Sequence, residues 1–201
     1  GEEVYQTEGN NREHDTYHIR AKYFGEKNKL KWNVSLYYLN EDYKRISEWI
    51  KDDYTFYKVL SERIDLGALS SVSYQLSNQT LTGGIDLKQG SVDAKDEYYT
   101  STDIVYNRGK MNTLGLFIQD EISLLNNKLK VIAGLRYDYA KFFDGGFEIV
   151  QPTSETDFML AYHNENIKED KWNALSPKLS IQYNINNYHR IYANYARGFR
   201  P

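Results

Sequence analysis

Four pairs of segments in which polar and apolar residues alternate, each pair joined by a very short turn, constrain this fold most. Alternation with period two sends successive side chains to opposite faces of a β-strand. The turns contain Asn or Gly, and Asn126-Asn127 and Asn186-Asn187 suit tight turns because Asn tolerates positive φ. The pattern predicts four antiparallel hairpins, at about residues 16–39, 65–88, 113–140 and 173–196.

Each predicted strand has one apolar and one polar face. In the second strand the apolar set is Leu30, Trp32, Val34, Leu36 and Tyr38. A soluble antiparallel sheet also has one buried and one wet face, so alternation leaves both a soluble sheet and a membrane barrel open. Soluble strands usually run about 5 to 6 residues, whereas tilted transmembrane strands need about 9 to 11. The long segments of this chain therefore favour a barrel wall.

A soluble sheet of this size would need a second apolar layer to cover it. The helix-like stretch YKRISEWIK, at residues 43–51, is too short for that purpose. No segment approaches the roughly 20 consecutive apolar residues of a membrane-spanning helix. Because lipid is the simpler cover, we expect an all-β fold, an antiparallel meander of about eight long strands.

Tyrosine is the outlier of the composition, with 19 copies in 201 residues. Tyrosine favours strands in general, and it also forms the aromatic girdles at the two water boundaries of membrane barrels. Ten copies lie in predicted strands, mostly toward the strand ends: Tyr17, Tyr23, Tyr37, Tyr38, Tyr74, Tyr137, Tyr139, Tyr183, Tyr192 and Tyr195. Their positions favour a girdle.

Three long polar segments separate the hairpins, at about residues 40–64, 89–112 and 141–172. In outer-membrane barrels the short turns face the periplasm and the long loops face the outside. Both ends of this eight-strand pattern would then lie on the outer side, whereas a complete bacterial barrel keeps its ends periplasmic. We therefore expect the chain to be part of a larger transmembrane barrel.

Charge and cysteine content exclude several classes of function. A net charge of −3 without a basic stripe argues against nucleic-acid binding. The chain has no cysteine for disulfides, thiolate metal sites or catalysis. His14 and His18 would lie about 13 Å apart along a strand, too far to bind one ion together. We expect neither a metal site nor a cofactor.

Three segments carry a family resemblance. LGLFIQDEISLLNNKLKVIAGLRYDY at residues 114–139 resembles a hairpin of the TonB-dependent outer-membrane receptor barrel, with its QDE and GLRYD strands. WNALSPKLSIQYNINNYHRIYANYARGFRP at residues 172–201 is similar to the next hairpin of that family, and LTGGIDLKQG at residues 81–90 to an upstream strand. Together they cover about half of the chain, in the order expected for the family.

The resemblance implies a receptor of about 22 strands in the outer membrane of a Gram-negative bacterium, with an N-terminal plug domain and a TonB-contacting box. Such receptors import ferric siderophores, haem, cobalamin or glycans. No haem-receptor motif and no specific sign of a glycan importer is present, so a ferric siderophore is favoured. The implied partners are outer-membrane lipid, the nutrient ligand, and the TonB complex through an N-terminal region outside these residues.

Two sets of residues are candidates for function. Acidic and basic side chains on the polar face could suggest acid–base catalysis, but cross-strand pairing is the more economical interpretation and no positioned nucleophile accompanies them, so we expect no enzyme. We interpret these residues as facing the lumen and the plug: Gln119, Glu121, Arg136 and Asp138. Aromatic side chains in the long loops are candidates for substrate contact: Trp49, Tyr98, Tyr99, Phe142 and Phe143.

Two alternatives remain open from the sequence. One is a soluble extracellular β-sheet protein that binds a polysaccharide or a protein through its long loops. The other is a small complete barrel with a structural or adhesive role. A chain that folds as a stable monomer without detergent would favour the soluble protein, and a gene without several hundred further residues would favour the small barrel.

Overall fold

The described residues form one antiparallel sheet of nine strands, in a computed structural model that describes residues 10–50, 54–162 and 165–199. A short 3-10 helix, Asp157–Tyr162, follows the sixth strand. The strands are β1 (Asn11–Lys27), β2 (Leu30–Ile50), β3 (Tyr54–Gln75), β4 (Gln79–Tyr98), β5 (Ile104–Leu124), β6 (Leu129–Val150), β7 (Glu165–Ile167), β8 (Asp170–Asn184) and β9 (Arg190–Ala196).

The sheet is a meander in which each long strand lies beside its neighbour in the chain. The order is β1-β2-β3-β4-β5-β6-β8-β9, and the three-residue β7 pairs with β6 beyond the part that pairs with β8. The four predicted hairpins are confirmed as β1-β2, β3-β4, β5-β6 and β8-β9. The all-β antiparallel architecture is therefore confirmed, and β7 is a strand that the sequence pattern did not predict.

The strands are longer than predicted, and most of the expected loop residues belong to them. Residues 43–50 of the helix-like stretch lie in β2, which pairs with β3 up to Ile50. Much of the expected loop 40–64 is strand, because β2 ends at Ile50 and β3 begins at Tyr54. Much of the expected loop 89–112 is also strand, because β4 ends at Tyr98 and β5 begins at Ile104. In the parts of these strands that are far from the short turns, polar residues occur on both faces, so the period-two signal disappears although the backbone pairing continues.

The two Asn-Asn turns use different chemistry. Asn126 and Asn127 have φ of 52° and 66°, as the turn prediction requires. Asn186 and Asn187 are not among the positive-φ residues of the described chain. Instead, Asn186 Oδ1 accepts hydrogen bonds from the backbone N–H groups of Tyr188 and His189, at 2.9 and 2.8 Å. The Asn186 side chain therefore stabilises that turn, together with a backbone hydrogen bond from the Ile185 N–H to the His189 carbonyl oxygen at 3.0 Å.

The buried carboxylate of Asp103 joins the β4-β5 connection to the segment that follows β6. Asp103, between β4 and β5, is 0% exposed. It accepts hydrogen bonds from the backbone N–H and the hydroxyl of Thr153, at 2.6 and 2.5 Å, and from the Ser101 hydroxyl at 2.7 Å. The segment after β6 is therefore fastened to the β4-β5 connection.

The sheet has almost no conventional hydrophobic core. Among the described residues the buried apolar side chains are Val105, Ala140 and Ile149. Large apolar side chains of one face are instead exposed, and Leu36 and Ile118 are each 53% exposed. No helix within the described ranges has the length and apolarity to cross a membrane.

Candidate functional site

One face of the sheet carries an apolar band, which ends at a defined level. In β2 it runs along one face from Leu30 to Tyr38, about nine residues, or roughly 27 Å at the usual strand rise. A tilted transmembrane strand needs about 9 to 11 residues, so this length along the strand suits the apolar band of a membrane barrel. Beyond it the same face carries carboxylates that lie side by side in register across four strands: Asp15, Asp42, Glu62 and Asp93. The band therefore ends together in neighbouring strands.

Tyrosines mark the ends of the apolar band, although not all of the predicted girdle residues do. Tyr38 and Tyr139 lie at its outer end in β2 and β6, and Tyr74 lies at its turn end in β3. The girdle prediction is wrong for Tyr37, because this residue lies on the polar face, where its ring covers Gly67. Tyr192 also lies on the polar face, opposite Gln182.

The residues predicted to face a lumen all lie on the polar face. Arg136 joins two carboxylates there: its Nε donates to Asp138 Oδ1 at 2.7 Å and its Nη2 to Asp86 Oδ2 at 3.3 Å. Gly115 lies between Asp86 and Asp138 in the register, and the Arg136 guanidinium lies across it. Asp86 was not predicted as a member, because its place depends on the pairing of β4 with β5.

The other two predicted lumen residues lie nearer the turns. Glu121 forms an ion pair with Lys130 of β6, with 2.6 Å between Oε1 and Nζ. Gln119 is opposite Gly134 of β6. All four side chains therefore lie on the polar face, and the register supplies cross-strand neighbours for them, while their contact with a plug stays a prediction.

Tyr98 belongs to an aromatic and basic cluster on the outer part of the polar face. Its ring stacks on Tyr57 with 5.1 Å between ring centroids, and Arg45 Nη2 donates to the Tyr57 hydroxyl at 3.1 Å. Burial raises the pKa of Tyr98 to about 12, and the neighbouring Asp96 charge adds to the rise. Burial also raises the pKa of Asp96, although the Arg45 charge opposes that shift.

The other predicted aromatic residues do not join this cluster. Tyr99 points to the opposite face, is 55% exposed, and stacks on Phe56 with 4.7 Å between centroids. Phe142 and Phe143 are consecutive in β6 and lie on opposite faces: Phe142 packs against Gly109 and Gly145, and the Lys141 ammonium lies 5.4 Å from the Phe143 ring centroid. The Trp49 side chain lies outside the described part of the chain.

A second ion cluster on the polar face was not predicted from the sequence. Asp65 of β3 is 6% exposed. Its Oδ2 accepts hydrogen bonds from Arg63 Nε and Nη2 at 3.1 and 2.6 Å, and Lys88 Nζ lies 3.4 Å away. Asp65 is opposite Leu39, one position beyond the apolar band in β2. Period-two alternation gave the face of these residues, but only the β3-β4 register brings Lys88 to Asp65.

Comparison with known proteins gives a family model and several solved structures. The model described as "TonB dependent receptor-like, beta-barrel" matches residues 2–201. A search of curated proteins found no match.

Three solved structures have the same fold over most of this chain. The ferric citrate transporter FecA, in its unliganded form, aligns with a TM-score of 0.68 at 12% identity over 93% of this chain and 28% of its own. The ferric yersiniabactin uptake receptor FyuA from Yersinia pestis gives 0.69 at 12% identity, over 91% and 27%. The copper transporter OprC gives 0.67 at 13% identity, over 91% and 31%. The chain spans less than one third of each of these proteins.

Proposed function

We propose that this chain, which belongs to the TonB-dependent receptor-like β-barrel family, forms part of the wall of an outer-membrane receptor. The proposed receptor imports ferric siderophores. The observation that carries the proposal is the family match over residues 2–201, joined to a band of exposed apolar side chains whose length along the strand suits a bilayer. A face of that kind is stable in lipid and unfavourable in water.

In the proposed orientation the short turns face the periplasm and the outer parts of the strands project outside. The polar face then lines the interior of the barrel, where it meets a plug domain supplied by another part of the protein. Gln119, Glu121, Arg136 and Asp138 are the proposed plug contacts. Arg136 is held by two carboxylates, so it presents a guanidinium of fixed orientation to the plug.

A ferric siderophore is the proposed cargo, and its energy source is the TonB complex acting through the N-terminal region. The names of two similar structures, a ferric citrate transporter and a ferric yersiniabactin uptake receptor, support iron chelates, although a copper transporter has the same fold. The proposed ligand contacts are aromatic residues of the outer part: Trp49, Tyr98, Tyr99, Phe142 and Phe143.

Growth of a deletion strain tests this function. The strain and its complemented parent are compared on limiting iron supplied as individual ferric siderophores, and on haem, cobalamin and glycan sources. We expect a growth defect on at least one ferric siderophore and normal growth on the other sources. A defect confined to another source would overturn the cargo, and growth equal to the parent on every source would overturn the transport function.

Membrane fractionation tests the location separately. We expect the full-length protein in the outer-membrane fraction, extracted only by detergent, because the apolar band requires a lipid cover. A monomer recovered from the aqueous fraction would instead support the soluble polysaccharide- or protein-binding alternative.

A further inference from the structure

A depression of about 580 Å³ lies on the apolar face, at the end of the apolar band that is far from the short turns. One row of side chains, in register across five strands, forms its floor and walls: Leu36, Ala68, Leu87, Leu114 and Tyr139. Ala68 is half-buried, whereas Leu36 and Leu87 on either side of it are 53% and 44% exposed. The small side chain of Ala68 therefore leaves a gap between projecting leucines.

Two side-chain amides border the depression on the side away from the short turns. Gln89 and Asn112 line it, lie directly opposite each other, and occupy the next position of this face beyond Leu87 and Leu114. Both are exposed, and neither side chain has a hydrogen-bond partner among the described residues. An amide has two N–H donors and a carbonyl acceptor. At the end of an apolar band these groups meet lipid head groups, which can supply the missing partners.

Three lysines continue this face beyond the amides. Lys141 is directly opposite Asn112, Lys171 is directly opposite Lys141, and Lys110 lies two residues beyond Asn112 in β5. Two carboxylates pair with members of this group, at 2.7 and 2.8 Å: Asp144 with Lys110, and Glu169 with Lys141. The three lysines and two carboxylates therefore keep one positive charge, which suits an anionic head group.

The gap, an amide and a lysine lie on one diagonal line across the strands. Ala68, Gln89 and Lys110 follow one another on β3, β4 and β5, and each step goes two residues beyond the directly opposite position. One strand sideways and two residues along make an angle of about 36° with the strands at the usual spacings. Strands of membrane barrels are tilted by about 35 to 45°. A lipid molecule that stands upright in the bilayer can therefore contact all three groups.

Shape and polar contacts must select the occupant of this depression. Burying an acyl chain against the wall brings no net hydrophobic gain within a bilayer, because lipid tails are as apolar as leucine. A chain that fits between the leucines gains packing contacts that a disordered tail does not have. The head group then adds hydrogen bonds and charge pairing at the amides and lysines, so a lipid that satisfies both parts is favoured over its neighbours.

We propose that this depression binds one acyl chain of a phosphorylated glycolipid of the outer leaflet. The chain fills the gap at Ala68, the sugar hydroxyls bond to Gln89 and Asn112, and the phosphate lies beside the lysines. A hydroxyl both donates and accepts, as an amide does, whereas the ester and phosphate oxygens of a glycerophospholipid only accept. The amide pair therefore favours a sugar. The site goes beyond the proposed transport and takes from it only the orientation, which places this end of the band in the outer leaflet.

Lipid binding by the purified full-length receptor tests the inference. The receptor is freed of native lipid in detergent and titrated with a synthetic diphosphorylated, acylated disaccharide and, separately, with phosphatidylglycerol of the same chain length. Native mass spectrometry counts the complexes. We expect one equivalent of the glycolipid to bind at least about ten-fold more tightly than phosphatidylglycerol, because only the glycolipid offers hydroxyls to both amides.

Two variants locate the binding, and a third is the control. Ala68→Leu fills the gap while the face stays apolar, and it should weaken glycolipid binding about ten-fold. Gln89→Leu should weaken it by several-fold and reduce the preference over phosphatidylglycerol. Ala133→Leu should change neither, because Ala133 is an exposed alanine of the same face, nearer to the turns and outside the depression. The unfolding temperature in detergent shows that each variant is folded, and Gln89→Leu carries the test if Ala68→Leu does not fold.

Equal affinity for the two lipids, a preference for phosphatidylglycerol, or binding that Ala68→Leu and Gln89→Leu leave unchanged would overturn the inference. An equal loss of binding in Ala133→Leu and Ala68→Leu would assign the effect to the apolar band in general, which also overturns it. These outcomes are independent of the growth assay. A receptor that binds the glycolipid at Ala68 in a strain without an uptake defect would refute the transport function and not the site.

Discussion

At the scale of single residues, the polar face is organised by long side chains that lie across glycines of the adjacent strand. Tyr37 covers Gly67, Phe117 covers Gly84 and Arg136 covers Gly115. A ring or guanidinium in this position shields a strand at a point where it has no side chain of its own. The face is therefore flatter than its large residues suggest, and each covered glycine determines the position of one functional side chain.

Gly115→Ala should disrupt the Arg136 cluster. An added Cβ atom would lie 2.0 Å from Arg136 Nη2, so the guanidinium must shift, and we expect the shift to break or weaken its hydrogen bonds to Asp86 and Asp138. We expect the free energy of unfolding to fall by about 1 to 3 kcal/mol, since charged hydrogen bonds are lost. Urea unfolding of the full receptor in detergent measures it. At Gly83 the nearest atom to an added Cβ is the Phe117 carbonyl oxygen at 3.6 Å, so Gly83→Ala should change little; equal losses would contradict the explanation.

Asp96 should make stability depend on pH. Burial raises its pKa in the folded state above the value of 3.8 in the unfolded chain, so folding favours the protonated acid. Its contribution therefore becomes less favourable as pH rises from below 3.8 through the folded-state pKa. Asp96→Asn should raise the unfolding temperature by a few degrees at pH 7 and leave it unchanged near pH 3. Asp93→Asn is the control, because Asp93 is exposed. A rise in the unfolding temperature of Asp96→Asn that is the same at both pH values would contradict the titration.

Single residues also show what the sequence can and cannot predict. Alternation placed Glu121, Arg136 and Asp138 on the correct face, because the face depends only on neighbours in the same strand. It did not identify Asp86 or the Asp65 cluster. Asp86 lies on a different strand from Arg136, and Lys88 on a different strand from Asp65, so a one-residue change of register would replace both partners.

At the scale of strands, the part of a strand near the short turn and the part far from it, called here the outer part, present different surfaces. In β2 the apolar face ends at Tyr38, and a polar part of about a dozen residues continues to Ile50. The apolar part was recognisable from the sequence because only it alternates between polar and apolar residues. The outer part was predicted as loop, since its two polar faces give no period and only pairing with β1 and β3 makes it a strand.

Leu36→Lys tests the lipid contact of the apolar band. Leu36 lies within the band in β2, one position of that face from its middle at Val34, and a cation there should lower stability in a bilayer by up to about 2 to 4 kcal/mol. Ser35→Lys is the control, because Ser35 is adjacent in the chain and lies on the polar face. Unfolding of the full receptor in lipid vesicles gives both values. A soluble sheet would tolerate lysine at this exposed position, so a loss no larger than for Ser35→Lys would contradict the lipid-facing assignment.

At the scale of the whole molecule, the described sheet has one exposed apolar face and two end strands, each with one unpaired edge. β1 and β9 are the ends of the strand order, and each pairs with a single neighbour among the described residues. Unpaired edges and a large exposed apolar surface both promote association in water. The sequence predicted this architecture well, because strand order follows chain order and needs no long-range information.

The 201-residue chain, prepared alone, should therefore not remain monomeric in aqueous buffer. We expect association or precipitation without detergent and dispersal in detergent micelles, measured by light scattering. Replacing exposed leucines of the apolar band by serine should increase solubility. Replacing exposed residues of the polar face by serine should not. A stable monomer in buffer alone would contradict the membrane-facing role of the band.

The β-bulge between β5 and β6 has a consequence for how such a wall can change during evolution. The register shifts between Arg108 and Lys110, where β6 contains one more residue than β5, and Asp144 there has φ of 53°. A single inserted residue elsewhere in a strand would exchange the side chains of the polar and apolar faces for the rest of its length. Insertions and deletions within the strands of related chains should therefore come in pairs of residues, or singly at a bulge. Related chains can then have longer strands while Tyr98 and Arg45 stay on the polar face.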